Sequence, residues 1–180
     1  MKRFPDHFCF SVSYTTREPR DNEKHGFDYF FVEKSTFEQE IAKNNFLEHN
    51  LVHGNYYGTY RPQIESIIKK DKIALLDIDI QGVRQATKNG LIVSYKMFIE
   101  PPTLEELKIR LEKRNTETPD SLVRRLANAS KEIRLAHQIN IFHKIIVNND
   151  IEKFLHEATE TIESWYPFLK LNSDNSSRQI

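Results

Sequence analysis

The sequence is short of several things, and each shortage excludes a class of protein. A single cysteine, Cys9, stands in 180 residues, so no disulfide can form within the chain and a reducing, cytoplasmic setting is expected. No apolar run approaches the ~20 residues of a membrane span, and the opening MKRFPDHF holds no apolar signal core. Net charge is zero, with 26 basic and 26 acidic side chains, which argues against a general nucleic-acid binder. The seven histidines are scattered without ligand spacing, so no zinc site is expected. Only five glycines are present, and none belongs to a GxxxxGK[ST] phosphate loop. There is no internal repeat and no low-complexity linker.

What is present suits one folded domain: 38% hydrophobic and 29% charged residues in a length that can bury its own core. Phe8 to Ser13 is rich in β formers and reads as a strand carrying Cys9 as a buried, inert thiol. Asp28 to Val32 is a second strand. Ser35 to Glu38 has capping-box spacing and opens a helix to about Lys43. Phe46 to His53 and Tyr56 to Tyr60 are strands joined through Gly54-Asn55, so residues 28–60 read as a small antiparallel lobe with one helix. Beyond Pro62, which suits a first helical turn, strands and helices alternate. The near-continuous apolar run over 73–78 and the strand of Lys144 to Val147 are of the kind buried on both faces. Thr103 to Glu106 is a second capping box, and Asp150 caps a last helix with Ile151, Leu155, Ala158, Ile162 and Trp165 on its apolar face. Such alternation predicts an α/β parallel sheet with helices on both faces and ligands at the carboxyl ends of its strands.

The chemistry gathers in Thr15 to Val32, TTREPRDNEKHGFDYFFV. Arg17 and Arg20, near hydroxyl and aromatic side chains, read either as solvated loop arginines or as an anion trap, since guanidinium forks grip phosphate in a bidentate way. Tyr57 and Thr59 would add two hydroxyls to such a trap. Glu48 reads as an exposed strand glutamate or as a carboxylate accepting the donor pair on one edge of guanine, which adenine lacks. Asp77 and Asp79 close an apolar strand, where aspartates hold metal near phosphate or cap the next helix. Arg110, Arg114, Arg124 and Arg125 flank the polar break NTETPD. They fit a solvated face paired to glutamates as well as a lid that closes on a transferring phosphoryl group.

The first of these stretches resembles the signature of guanylate kinases, and the similarity continues through FLEHNLVHGNYYGT, ALLDIDIQGV, FIEPPTLEELKIRLEKRNTET and IIVNND. The resemblance implies a P-loop-kinase-like parallel sheet, a small mixed α+β GMP-binding lobe over 14–60, core segments 61–108 and 137–168, a helical lid over 109–136, and a frayed tail from 169. It implies phosphoryl transfer from ATP to GMP with Mg²⁺. Carried over by position, Ser13, Arg17, Arg20, Tyr29, Tyr57 and Thr59 hold or border the GMP phosphate. Glu48 and Asp79 read guanine, and Asp77 lies near the metal through water. Arg17, Arg110, Arg114 and Arg125 serve transfer, while Arg110, Arg114 and Asn148 border ATP. Asn115 and Asn149 stand where the family usually has glycine and aspartate.

The family's opening strand and Gly-rich loop have no counterpart here. That loop would cradle the ATP phosphates with backbone N–H groups. The expectation is a guanylate kinase shortened at its N-terminus, which as it stands binds GMP weakly and transfers little or no phosphate, or else a split enzyme whose missing strand another chain supplies in trans. The alternative is a kinase-dead module of the same shape that binds GMP or a phosphorylated protein.

Overall fold

The structure, a computed structural model, describes residues 3–52, 54–90, 95–113 and 118–170. The chain forms two compact units, residues 1–93 and 94–180, taken here in turn.

The first unit opens with strand β1 (Phe8–Phe10), β2 (Tyr14–Thr15) and β3 (Phe30–Phe31). Helix α1 (Lys34–Ala42), strands β4 (Phe46–Val52) and β5 (Asn55–Tyr60), helix α2 (Arg61–Ile68), strand β6 (Ile73–Leu75) and helix α3 (Ile80–Lys88) follow. Strands β3, β2, β5 and β4 form one sheet in that order. β4 and β5 are the expected antiparallel hairpin, and β2 also runs antiparallel to β5. The lobe is not wholly antiparallel, because β2 and β3 pair in parallel. The long loop between them, residues 16–29, gives the chain room to return in the same direction, which a tight turn could not do. β1 and β6 make a parallel pair with Phe8 opposite Ile73 and Phe10 opposite Leu75. Cys9, at the centre of β1, is half-buried rather than fully enclosed.

The three capping expectations do not all meet the same outcome. Helix α1 starts at Lys34 with Glu33 at the N-cap and no side-chain cap bond, so the Ser35 capping box does not form. The reason lies in Phe37, 1% exposed and stacked between the rings of Phe46 and Tyr56 at 4.1 and 5.1 Å. A capping bond contributes about 1 kcal/mol, whereas burying a phenylalanine contributes about 3–5 kcal/mol by the cost of its removal. The ring sets the helix start and the cap yields. Phe37→Ala is therefore expected to destabilise the protein by about 3–5 kcal/mol, read as a lowered urea midpoint at constant slope. The end of α1 is tied to β5 through Glu40, which accepts from Lys43, Tyr60 and Asn45. These donors, Lys43 foremost, push its carboxyl down to about 2, and the bond to Glu40 pushes Tyr60 up to about 12.

The second unit holds strand β7 (Met97–Glu100), helices α4 (Leu104–Lys113) and α5 (Pro119–Gln138), strand β8 (Lys144–Val147) and helix α6 (Ile151–Trp165). β7 and β8 pair in parallel, with Ile99 opposite Ile146. Here the caps form as the sequence predicts: Glu106 N–H donates to Thr103 Oγ1 at 3.0 Å, and Lys153 N–H to Asp150 Oδ1 at 2.9 Å. The expected apolar face of α6 is only partly covered, because Ile151 and Leu155 are exposed while Ala158, Ile162 and Trp165 are half-buried. Trp165 stacks on Tyr95 with ring centroids 4.7 Å apart, anchoring the C-terminal turns of the helix. No helix among the described residues is long and apolar enough to cross a membrane. The tail beyond residue 170 lies outside the described residues.

Candidate substrate site in the first unit

The end of β2 is fastened before the loop begins. Thr15, fully buried, donates its hydroxyl to the Tyr56 carbonyl at 2.9 Å, and Thr16 Oγ1 accepts the Tyr56 N–H at 2.9 Å. With both hydroxyls spent on β5, the chain leaves the sheet at Arg17 in a fixed direction. The Arg17 guanidinium lies 5.5 Å from the Tyr29 ring centroid and 5.7 Å from that of Phe31, where the ring faces attract a cation. Its Nη2 donates to Glu23 Oε1 at 2.8 Å and its Nη1 to the Glu18 carbonyl at 2.6 Å. The other oxygen of Glu23 accepts the Arg20 N–H at 2.8 Å. Glu23 holds the Arg17 guanidinium more firmly in its charged form, with the Tyr57 hydroxyl assisting. Arg17 in return, and the Arg20 N–H, hold Glu23 below the usual carboxylate range.

Tyr29 meets Tyr57 edge to face at 6.0 Å. Burial raises the Tyr29 hydroxyl, and the neighbouring Tyr57 raises it further. The structure therefore brings together Arg17, Tyr29 and Tyr57. Ser13 stands beside them, half-buried, with its carbonyl accepting the Phe30 N–H at 2.9 Å. Arg20 contributes its backbone and keeps its side chain exposed. Glu23 was not singled out in the sequence; its signal is an acid three residues after one arginine and six after another.

A second group lies further along the same sheet. Glu48 on β4 is 6% exposed, not the exposed strand glutamate that local sequence permits. Thr59, directly opposite on β5, donates its hydroxyl to Glu48 Oε1 at 2.6 Å. Thr59 is thus engaged with the carboxylate rather than turned to the arginine end. Burial raises the Glu48 carboxyl, and the neighbouring charge of Asp79 raises it further. Asp79 caps α3, its Oδ1 accepting the Gly82 N–H at 2.7 Å. Both aspartates lie beyond β6, which ends at Leu75: Asp77, exposed, is in the connection to α3, and Asp79 is the N-cap of that helix.

The raised carboxyl has a consequence for stability. A group that holds its proton more tightly folded than unfolded stabilises the fold fully below its unfolded value, ordinarily 4.5 for glutamate, and loses that contribution as pH rises through its raised value. Above that raised value Glu48 is a buried charge. Glu48→Gln is therefore expected to raise the melting temperature of the ligand-free protein at pH 7, with the gain shrinking as pH falls toward 4.5. Melting curves of both proteins across that range check this.

In the second unit the guanidinium of Arg110 is largely occupied. It donates to Glu106 Oε1 and to the Asn148 carbonyl, each at 2.8 Å, and to the Asn149 carbonyl at 3.4 Å. Arg110 and Asn148 are thus brought together at the carboxyl end of β8. Arg125 and Arg124 lie on exposed positions of α5. Arg114 and Asn115 lie outside the described residues. No group of three or more His, Cys, Asp or Glu side chains poised for a metal ion occurs among the described residues.

Comparison with known proteins gives one consistent answer. The guanylate kinase family model matches residues 1–165. The guanylate kinase of Clostridium tetani is 43% identical over 162 residues, 88% of this chain and 73% of that protein. That of Sus scrofa is 41% identical over 146 residues, 81% of this chain and 73% of that protein. Guanylate kinase 1 of Oryza sativa is 43% identical over 152 residues, 84% of this chain and only 40% of that longer protein. Among solved structures, the guanylate kinase of Anaplasma phagocytophilum superposes with a TM-score of 0.71 at 31% identity, covering 91% of this chain and 78% of that one.

Proposed function

This chain belongs to the guanylate kinase family, and from that premise we propose that its first unit holds GMP as the acceptor in phosphoryl transfer from ATP, giving GDP and ADP. The observation that carries the reading is the division of labour along β5. Tyr57 stands at the arginine end and Thr59 at the carboxylate end, two residues apart on one face, or about 7 Å along a strand. A nucleoside monophosphate spans such a length with its phosphate at one end and its base at the other.

At the phosphate end Arg17 supplies charge and fork geometry, with Ser13, Tyr29, Tyr57 and the Arg20 segment as further donors. Glu23 stands in for an anion in the ligand-free arrangement: its two oxygens take one donor from Arg17 and one from Arg20. At the base end the Glu48 carboxylate, with Asp79 close by, accepts the N1–H and exocyclic amine of guanine. Adenine offers no such donor pair on that edge, which makes the site selective.

Mg²⁺, as the family implies, would bind through waters, substrate phosphates and one carboxylate, a role that Asp77 fits. It would neutralise charge on the transferring group. Arg110, Arg114, Arg125 and Asn148 are assigned to the ATP side. A GxxxxGK[ST] cradle is absent from these 180 residues, so full turnover needs a phosphate cradle from outside them. A strand supplied in trans would extend the two-stranded β1–β6 pair. The setting is cytoplasmic purine nucleotide metabolism.

The competing reading is a module that binds phosphorylated protein through the arginine end alone. Calorimetric titration with GMP and with a phosphoserine peptide separates the two. GMP is expected to bind the more tightly, because the peptide leaves Glu48 without a partner. A peptide that binds more tightly than GMP would favour the module.

A further inference from the structure

We propose that one face of α3, through Gly82 and Gln85, is the mount that aims the Glu48 carboxylate and so sets the site's choice of base. The proposal rests on the guanine-reading role of Glu48 and adds the residues that make that role selective.

Glu48 sits just past an irregularity in the β4–β5 register, between Phe46 and Glu48. Bulges of this kind re-aim side chains and leave backbone groups without a ladder partner. β4 is also the outer strand of its sheet, so its far edge needs another partner. Helix α3 supplies one. The Gln85 side-chain oxygen accepts the His49 N–H, and the Asn89 side-chain amide donates to the Leu47 carbonyl at 3.0 Å. These two backbone groups flank Glu48 on either side. Asn89 is held in turn by Arg61, whose Nη2 donates to the Asn89 carbonyl at 2.7 Å and whose Nε donates to the Phe46 carbonyl at 3.2 Å.

Two glycines pack against Glu48, Gly58 at its backbone and Gly82 at its carboxylate. A β-carbon on Gly58 would stand 2.8 Å from the Glu48 carbonyl oxygen and 2.9 Å from the Phe46 ring. A β-carbon on Gly82 would stand 3.0 Å from Glu48 Oε2, and 3.3 Å from both its Cδ and the Ile78 Cβ. With Oε1 held by Thr59, only the bare first turn of α3 leaves Oε2 where it is. Asp79, Gly82, Gln85 and Asn89 recur every three or four residues, which places them along one side of the helix. The same side thus caps the helix, makes room for the carboxylate and fixes the strand that bears it.

Gly82, Gln85 and Asn89 are assigned no contact with the base. Their effect should appear as selectivity, which a merely structural role would not move. The discriminating probe is IMP, which has the same phosphate, ribose and N1–H but lacks the exocyclic amine. We compare the affinities of GMP and IMP by calorimetry for the 180-residue protein, for Gly82→Ala and for Gln85→Leu. Arg84→Ala, on an exposed position of α3, is the control. The wild-type chain and Arg84→Ala should favour GMP. Gly82→Ala and Gln85→Leu should each reduce the GMP-to-IMP ratio about tenfold, chiefly through weaker GMP binding with IMP affinity little changed. If the wild-type chain favours GMP and both variants keep its ratio within about twofold, the mount is refuted and the guanine-reading role stands. If the wild-type chain does not favour GMP over IMP, the guanine reading fails and the mount falls with it.

Discussion

The isolated 180-residue polypeptide is expected to transfer phosphate from ATP to GMP at less than about a thousandth of the rate of a family enzyme carrying GxxxxGK[ST], while still binding GMP. Transfer demands that charge building on the phosphoryl oxygens be met by donors already in place. In enzymes with that loop, its backbone N–H groups and lysine do most of this for the donor. No stretch of these residues repeats that chemistry. Arg17, the arginine assigned to transfer in the first unit, is spent on Glu23 and Glu18. Arg110 in the second donates to the Asn148 and Asn149 carbonyls. A coupled assay of ADP formation measures the rate, and turnover near that of ordinary kinases would show that another part of the chain cradles the donor.

Glu48→Gln is expected to weaken GMP binding about 10- to 100-fold, the worth of one or two charge-assisted hydrogen bonds. An amide in place of the carboxylate keeps the shape but brings an N–H where two acceptors are needed. Inorganic phosphate, which calls only on the arginine end, should bind the variant and the parent alike. The loss thus separates reading the base from gripping the anion. The substitution should also make the ligand-free protein more stable at neutral pH, since it removes a charge that burial makes unfavourable. Weaker binding in a more stable protein is the signature of a carboxylate kept for its ligand. Equal losses for GMP and phosphate would refute the base-reading role.

Much of this was legible in the sequence where a local rule and a tertiary need coincide. Asp150 and Thr103 cap their helices as expected. The apolar run Lys144 to Val147 is a strand with those bounds. Arg17, Tyr29 and Tyr57 gather as the spacing of hydroxyls, arginines and aromatics suggests. The misreadings have one physical source, which is packing between segments far apart in the chain. Phe37 overrides the Ser35 cap because its ring is clamped by residues 9 and 19 positions later. The parallel pairing of β2 and β3 depends on how the loop between them closes, which periodicity does not encode. Glu48 looks exposed from its neighbours alone, and is buried because α3 lies along its strand. Gly82 reads as an ordinary helix glycine until the carboxylate beside it is known.

The central claim is that the first unit recognises guanine as well as phosphate. The most direct measurement is the affinity of the 180-residue protein for GMP and for AMP, taken by calorimetry at neutral pH. The two ligands share phosphate and ribose and differ in the edge presented to Glu48. GMP should bind more tightly by about tenfold or more. Equal affinities would contradict the account, leaving an anion site with no reader of the base.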